Sequence, residues 1–165
     1  MNKTNTGRRW LYLVLGTAAL LFAGVIYAWS ILKAPLAEEF GWESSALSLN
    51  FTLTMCFFCI GGMVGSVLTK RAGLRVSCII GAVLSAAGFL TASRMQGQIL
   101  SLYVSYGVMA GLGIGIAYNC IISAVNGWFP DKKGLCSGVL MMGFGASALV
   151  IGSLADAIIA SSGGW

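Results

Sequence analysis

Few side chains in this chain can do chemistry, and their types argue for binding over catalysis. None of the 165 residues is histidine, which removes histidine triads, imidazole-ligated zinc and imidazole-ligated haem. The acids are Glu38, Glu39, Glu43, Asp131 and Asp156, and no catalytic acid pair can be drawn from them. Cys56, Cys59, Cys78, Cys120 and Cys136 lie in or at the edge of apolar runs. Cys56-Phe-Phe-Cys59 has redox spacing but no basic neighbour or helix N-terminus to lower a thiol pKa. The sequence therefore predicts no enzyme, no metal site and no cofactor. What remains are hydroxyls and amides in apolar surroundings: Tyr27 and Tyr118, each within a Gly-x-x-Tyr, and Asn50 and Asn119. In lipid such a group needs a partner, either a neighbouring helix or a ligand. Both readings stand for these four residues.

The elements that position them follow from composition. Hydrophobic residues make up 58% of the chain and charged residues 9%, against about 25% charged in soluble proteins. Mean hydropathy is +0.87, and 23 glycines stand against 2 prolines, a balance suited to close-packed membrane helices. A span of the hydrocarbon core takes about 20 apolar residues. Five such runs are expected, over residues 10–32, 46–68, 76–92, 99–123 and 135–160. The first follows Lys3, Arg8 and Arg9 but is too long for a signal-peptide core and reads as an uncleaved span. Lys33–Ser45 is expected as the one long outer loop. The other loops are short, which makes sequential helices antiparallel neighbours.

Basic residues set the orientation. Eight of the ten fall on one side of the predicted membrane, in the N-terminal segment and the second and fourth loops, against Lys33 and Arg94 on the other. That places the N-terminus in the cytoplasm. A net charge of +5 distributed in this way is membrane topology and not a nucleic-acid footprint. Asp156 is the single acid inside a predicted span, near its outer boundary. In the fourth loop Pro130 ends the preceding helix, Asp131 suits the N-cap of the next, and Trp128 and Phe129 sit at headgroup depth.

Gly111, Gly113 and Gly115 sit mid-span without the preceding strand of a dinucleotide site. Gly61 with Gly65, Gly111 with Gly115 and Gly134 with Gly138 are each four apart, the spacing that lets helices touch backbone to backbone.

The segment Gly111-Leu-Gly-Ile-Gly-Ile-Ala-Tyr118, then Trp128-Phe-Pro-Asp-Lys-Lys-Gly-Leu135 with Ser137-Gly138, resembles the fourth span and following loop of the oxalate/formate antiporter branch of the major facilitator superfamily. Tyr27-Ala-Trp29-Ser30 agrees with it, as does Arg71-Ala-Gly73-Leu-Arg75 where that family carries its gate motif. Lys70 stands where the family usually has an aspartate. The resemblance implies an all-α integral membrane fold, with five transmembrane helices forming most of one six-helix half. Residues 1–165 would be a partial N-terminal half, and Gly164-Trp165 resembles the pair just before a sixth span.

Those relatives hold substrate at the midplane between two halves and alternate access by rocking. Their inverted three-plus-three repeat makes spans one and four equivalent, so Tyr27 and Tyr118 would bracket the midplane from opposite sides. The resemblance thus implies a secondary transporter of a small organic anion, a mono- or dicarboxylate. Tyr27, Tyr118, Phe144 and Asn50 are the expected substrate contacts, and the cationic ligands lie in the missing C-terminal half. Ile26, Met55 and Phe58 offer little hydrogen bonding, which favours a monocarboxylate. Arg71, Gly73, Arg75, Asp131 and Lys132 are the expected gate and cytoplasmic-loop residues. The setting is a lipid bilayer, in the manner of a bacterial inner membrane, and the fragment alone is not expected to transport. A different reading is a stand-alone membrane scaffold or oligomeric partner, whose glycine faces would be interfaces.

Overall fold

The computed structural model describes residues 3–94 and 97–161, and every described element is helical. In chain order these are α1 (Lys3–Ala23), a 3₁₀ stretch (Gly24–Ala28), α2 (Trp29–Phe40), α3 (Ser44–Ala72), α4 (Leu74–Ala92), α5 (Ile99–Leu102), a π-helical stretch (Tyr103–Ala110), α6 (Gly111–Trp128) and α7 (Lys133–Ser161). Among the described residues, five helical runs are long and apolar enough to cross a membrane: Gly7–Phe40, Ser44–Ala72, Leu74–Ala92, Ile99–Trp128 and Lys133–Leu154. Outward-facing Met63, Met142 and Leu149 are 73%, 73% and 75% exposed, a surface suited to lipid and not to water. Asp156 falls outside the residues whose side chains are described.

The expected outer loop over Lys33–Ser45 is mostly helix. α2 continues to Phe40, and only residues 41–43 connect it to α3. Charge ends an apolar run but not a helix, since Lys and Glu are good helix formers. Pro35 sits inside α2, where it removes one backbone donor without stopping the helix. Lys33 Nζ donates to Ser48 Oγ at 2.8 Å, tying α2 to the first turns of α3. The turns are made by glycine: Gly41 has φ +64° and Gly73 has φ +86°, a region costly for any residue with a Cβ. Gly73 alone separates α3 from α4.

The chain divides into two compact units, one formed by residues up to Ile31 and from Ile121 onward, the other by Leu32–Cys120. In the first unit α1 and α7 run parallel. Gly16 approaches Leu140, Gly143 approaches Thr17, Gly24 approaches Ser147 and Gly152 approaches Ile31. The last turns of α6 run antiparallel to α1, with Tyr12 stacked on Trp128 at 4.8 Å and Trp10 edge-on to Phe129 at 5.4 Å. Leu13, Leu20, Val125, Phe129, Leu140 and Phe144 are buried here.

In the second unit the fourth span packs between α3, to which it is parallel, and α4, to which it is antiparallel. Residues two apart on a helix lie about 200° apart, on opposite faces. Gly111 and Gly115 accordingly meet α3 at Thr54 and Phe58, whereas Gly113 meets α4 at Gly81 and Ser85. Gly61 and Gly65 of α3 return the contact against the backbone of Leu112 and Ile116. The nearest partner of a helix is therefore often not the next one in sequence. Short loops fix direction, but glycine faces decide which backbones touch. Gly134 and Gly138 have open space where a Cβ would stand, so that pair forms no packing face among the described residues.

Candidate functional site

Tyr27 lies on the 3₁₀ stretch that follows α1. Gly24, one turn earlier, brings this stretch against α7, where a Cβ would collide with Phe144 O and Ser147 Oγ. The Ser147 hydroxyl, fully buried, reaches Gly24 O at 2.6 Å and Phe144 O at 2.7 Å. The Tyr27 ring then meets Phe144 edge-to-face, centroids 5.2 Å apart at 74°. Phe144 is buried behind a half-buried Tyr27.

The second unit repeats the arrangement. Gly115 brings α6 against α3, where a Cβ would collide with Phe58 O and lie 2.9 Å from Gly62 N. Three residues later the Tyr118 ring meets Phe58 edge-to-face, at 5.3 Å and 61°. In both cases a glycine three residues before the tyrosine touches the backbone carbonyl of the phenylalanine that braces its ring. The helices concerned are the first and fifth spans in one unit and the fourth and second in the other. An inverted three-plus-three repeat matches these pairs to each other.

The remaining expected site residues separate. Asn50 is fully buried between α3 and the π stretch and presents no surface to a ligand. Ile26, expected beside Tyr27 to face the substrate, is likewise fully buried. Arg71 and Arg75 are exposed. Lys70 and Arg71 occupy the last turn of α3, where cations suit the negative end of the helix dipole. Gly73 is the positive-φ turn already described.

In the fourth loop the expected cap is corrected. α7 starts at Lys133, and Lys132 O accepts from Cys136 N at 3.1 Å, which puts Lys132 and not Asp131 at the cap position. The Asp131 carboxylate instead lies 3.6 Å from Arg9 Nη1. The Arg9 guanidinium sits 5.2 Å above the Phe129 ring. Phe129 is fully buried, with the Arg9 guanidinium and the Trp10 ring against it. Sequence reading missed this cluster and the bracing role of Phe58. The Gly-x-x-Tyr repeat was a usable signal for the second, while nothing in the sequence links Arg9 with Phe129.

Two parallel helix pairs with duplicated glycine, tyrosine and phenylalanine contacts, on long apolar spans, define a helical membrane protein with internal repeat symmetry. The family model of the Major Facilitator Superfamily matches residues 7–165, and the chain belongs to that family of transporters, which are not enzymes. It is 31% identical over 158 residues to the oxalate:formate antiporter of Oxalobacter formigenes, covering 95% of this chain and 37% of that protein. It is 25% identical to monocarboxylate transporter 12 of Mus musculus, over 79% of this chain and 26% of that one. It is 33% identical to apicoplast pyruvate carrier 1 of Toxoplasma gondii, over 61% of this chain and 18% of that one. The chain thus spans well under half the length of these relatives.

Proposed function

We propose that this chain forms part of a secondary transporter for a small carboxylate, working by alternating access. The observation that carries the reading is the braced tyrosine found once in each unit, on a chain similar to proteins named for oxalate, formate, monocarboxylate and pyruvate. A phenol hydroxyl donates to a carboxylate oxygen, and a ring held edge-on by a neighbour loses little freedom when it does so. Tyr27 and Tyr118 are the donors in this reading, Phe144 and Phe58 their supports. The cationic ligands for the anion belong to the half of the fold beyond this chain. Met55 and Phe58 add apolar surface, which favours a monocarboxylate over a dicarboxylate.

The N-terminus faces the cytoplasm of a bacterial cell in this reading. Arg71, Gly73 and Arg75 in one loop, with Asp131 and Lys132 in another, shape the cytoplasmic gate. The test is exchange of labelled formate, pyruvate and oxalate by the intact transporter in proteoliposomes. Tyr27→Phe and Tyr118→Phe should each weaken apparent affinity by about tenfold, the loss of one hydrogen bond to a charged group. Exchange unchanged in both variants refutes the assignment.

A further inference from the structure

The fourth span carries a feature that substrate binding does not use. Its first half is π-helical over eight residues, Tyr103–Ala110, between the α-helical Ile99–Leu102 and Gly111–Trp128. π turns are rare, usually single, and concentrate at functional sites. Against this stretch lies one stripe of α3, residues 46, 50 and 54, spaced one turn apart. Its outer members hold the two ends of the stretch. Tyr103 donates its hydroxyl to Ala46 O at 3.0 Å, and a Cβ on Gly111 would lie 2.8 Å from Thr54 O.

The middle member is Asn50. It is fully buried, and neither its Nδ2 nor its Oδ1 has a hydrogen-bond partner. Oδ1 lies 3.3 Å from the point where a Cβ on Gly107 would stand, so the amide rests closely against the centre of the π stretch. A buried amide without a partner opposes folding, and leucine would fill the volume without that penalty. The amide offers both donors and acceptor beside the π-helical backbone.

We propose that Tyr103–Ala110 is a switchable segment that passes between π and α registers, and that the Asn50 carboxamide is the partner for backbone groups released in the passage. In the π register the backbone pairs five residues apart, in the α register four. Between them N–H and C=O groups lose their partners in surroundings without water. Asn50 lies against the centre of this stretch, at Gly107, and its amide can pair with either kind of group. Since α6 begins directly at Gly111, a change of register turns α6, and Tyr118 with it, about the span axis. The device is read from the second unit alone and stands or falls independently of the substrate.

The test is amide hydrogen exchange by mass spectrometry on the intact protein in lipid nanodiscs. Asn50→Leu should slow exchange across residues 103–110 at least tenfold, a slower opening and not a looser fold, with residues 116–126 unchanged. Asn50→Ser, which keeps a group able to donate and accept, should stay within about threefold of the native rate. Exchange in the leucine variant as fast as native, or faster, overturns the proposal. If the leucine variant does not fold, the serine variant decides. A near-native rate at 103–110 upholds the switch, and faster exchange throughout α3 and α6 shows Asn50 to be packing only.

Discussion

The two units solve the same problem, a tyrosine braced on a phenylalanine of a parallel helix, with different materials. In the second unit glycines touch backbone: Gly61 on Leu112, Gly65 on Ile116, Gly111 on Thr54, Gly115 on Phe58. In the first they mostly touch the ends of side chains: Gly16 on Val125 and Leu140, Gly143 on Thr17 Cγ2, Gly152 on Ile31 Cδ1. Buried polar side chains divide the same way, with Asn50, Thr54, Ser77 and Ser105 in the second unit and Ser147 in the first. The irregular backbone also differs, overwound at Tyr27 and underwound ahead of Tyr118. A contact between backbones can slide but cannot be filled, whereas a side-chain contact can adapt by changing rotamer. The second unit is therefore the less forgiving of the two and the better suited to move.

The largest expected effect comes from Gly115→Ala. The new carbon meets Phe58 O and Gly62 N, both backbone, and overpacking of that kind costs about 3 kcal/mol or more. Gly24→Ala in the first unit should also be severe, but Ser147→Ala removes the nearest of its three obstacles, the Ser147 hydroxyl, and leaves Ser147 Cβ and Phe144 O in place. Thermal denaturation in detergent should show partial rescue of Gly24→Ala by Ser147→Ala. Gly115→Ala should not be rescued by side-chain trimming, and equal rescue in both units would erase the contrast.

Next in size is the bracing itself. Phe144→Ala should cost about 3–5 kcal/mol, as for other buried phenylalanines, and Phe58→Ala less because that ring is half-buried. Double-mutant cycles should give similar couplings for Tyr27–Phe144 and Tyr118–Phe58, about 0.5–1.5 kcal/mol each. A coupling present in only one unit would show that the repeat is geometric and not energetic.

Smaller still is the Arg9 cluster. Arg9→Gln should cost about 1 kcal/mol through the lost cation–π contact. Asp131→Asn should cost a few tenths at most, since the pair is long and the carboxylate exposed. Urea titrations at low and high salt separate the two, because the exposed ion pair is the more strongly screened. Smallest is Gly138→Ala. With open space around it, the change should be neutral or stabilising by up to about 1 kcal/mol from helix propensity. A clear loss of stability there would place an unseen neighbour against α7.

How much of this was legible follows from what each signal encodes. Apolar runs gave the spans and their alternating directions, because length and hydropathy are set by the bilayer. Glycine spacing identified Gly61, Gly65, Gly111 and Gly115 as contact positions, whereas Gly134 and Gly138 meet nothing among the described residues, since spacing describes one face and says nothing of a partner. The charged stretch after Leu32 read as loop because charge marks the end of apolarity, and the helix simply continued to Phe40. Asp131 read as a cap from its type, but the chain places Arg9 beside it. The π stretch left no trace at all, because it changes hydrogen-bond register without changing composition. Asn50 was visible as a polar residue in a span, yet only packing could reveal its burial and the lack of any partner for its amide.

The Ser147 hydroxyl that reaches Gly24 O joins residues 123 positions apart in the chain, whereas Tyr103 and Ala46 are separated by 57. At synthesis rates of about 5–20 residues per second, the first span waits roughly 6–25 s for the helix that closes over it. The second unit can close before that helix is made. During that interval the face around Gly24 and Tyr27 lacks its α7 cover. The order of assembly is thus the reverse of the order of synthesis for the first span, which enters early and finds its fifth-span partner late.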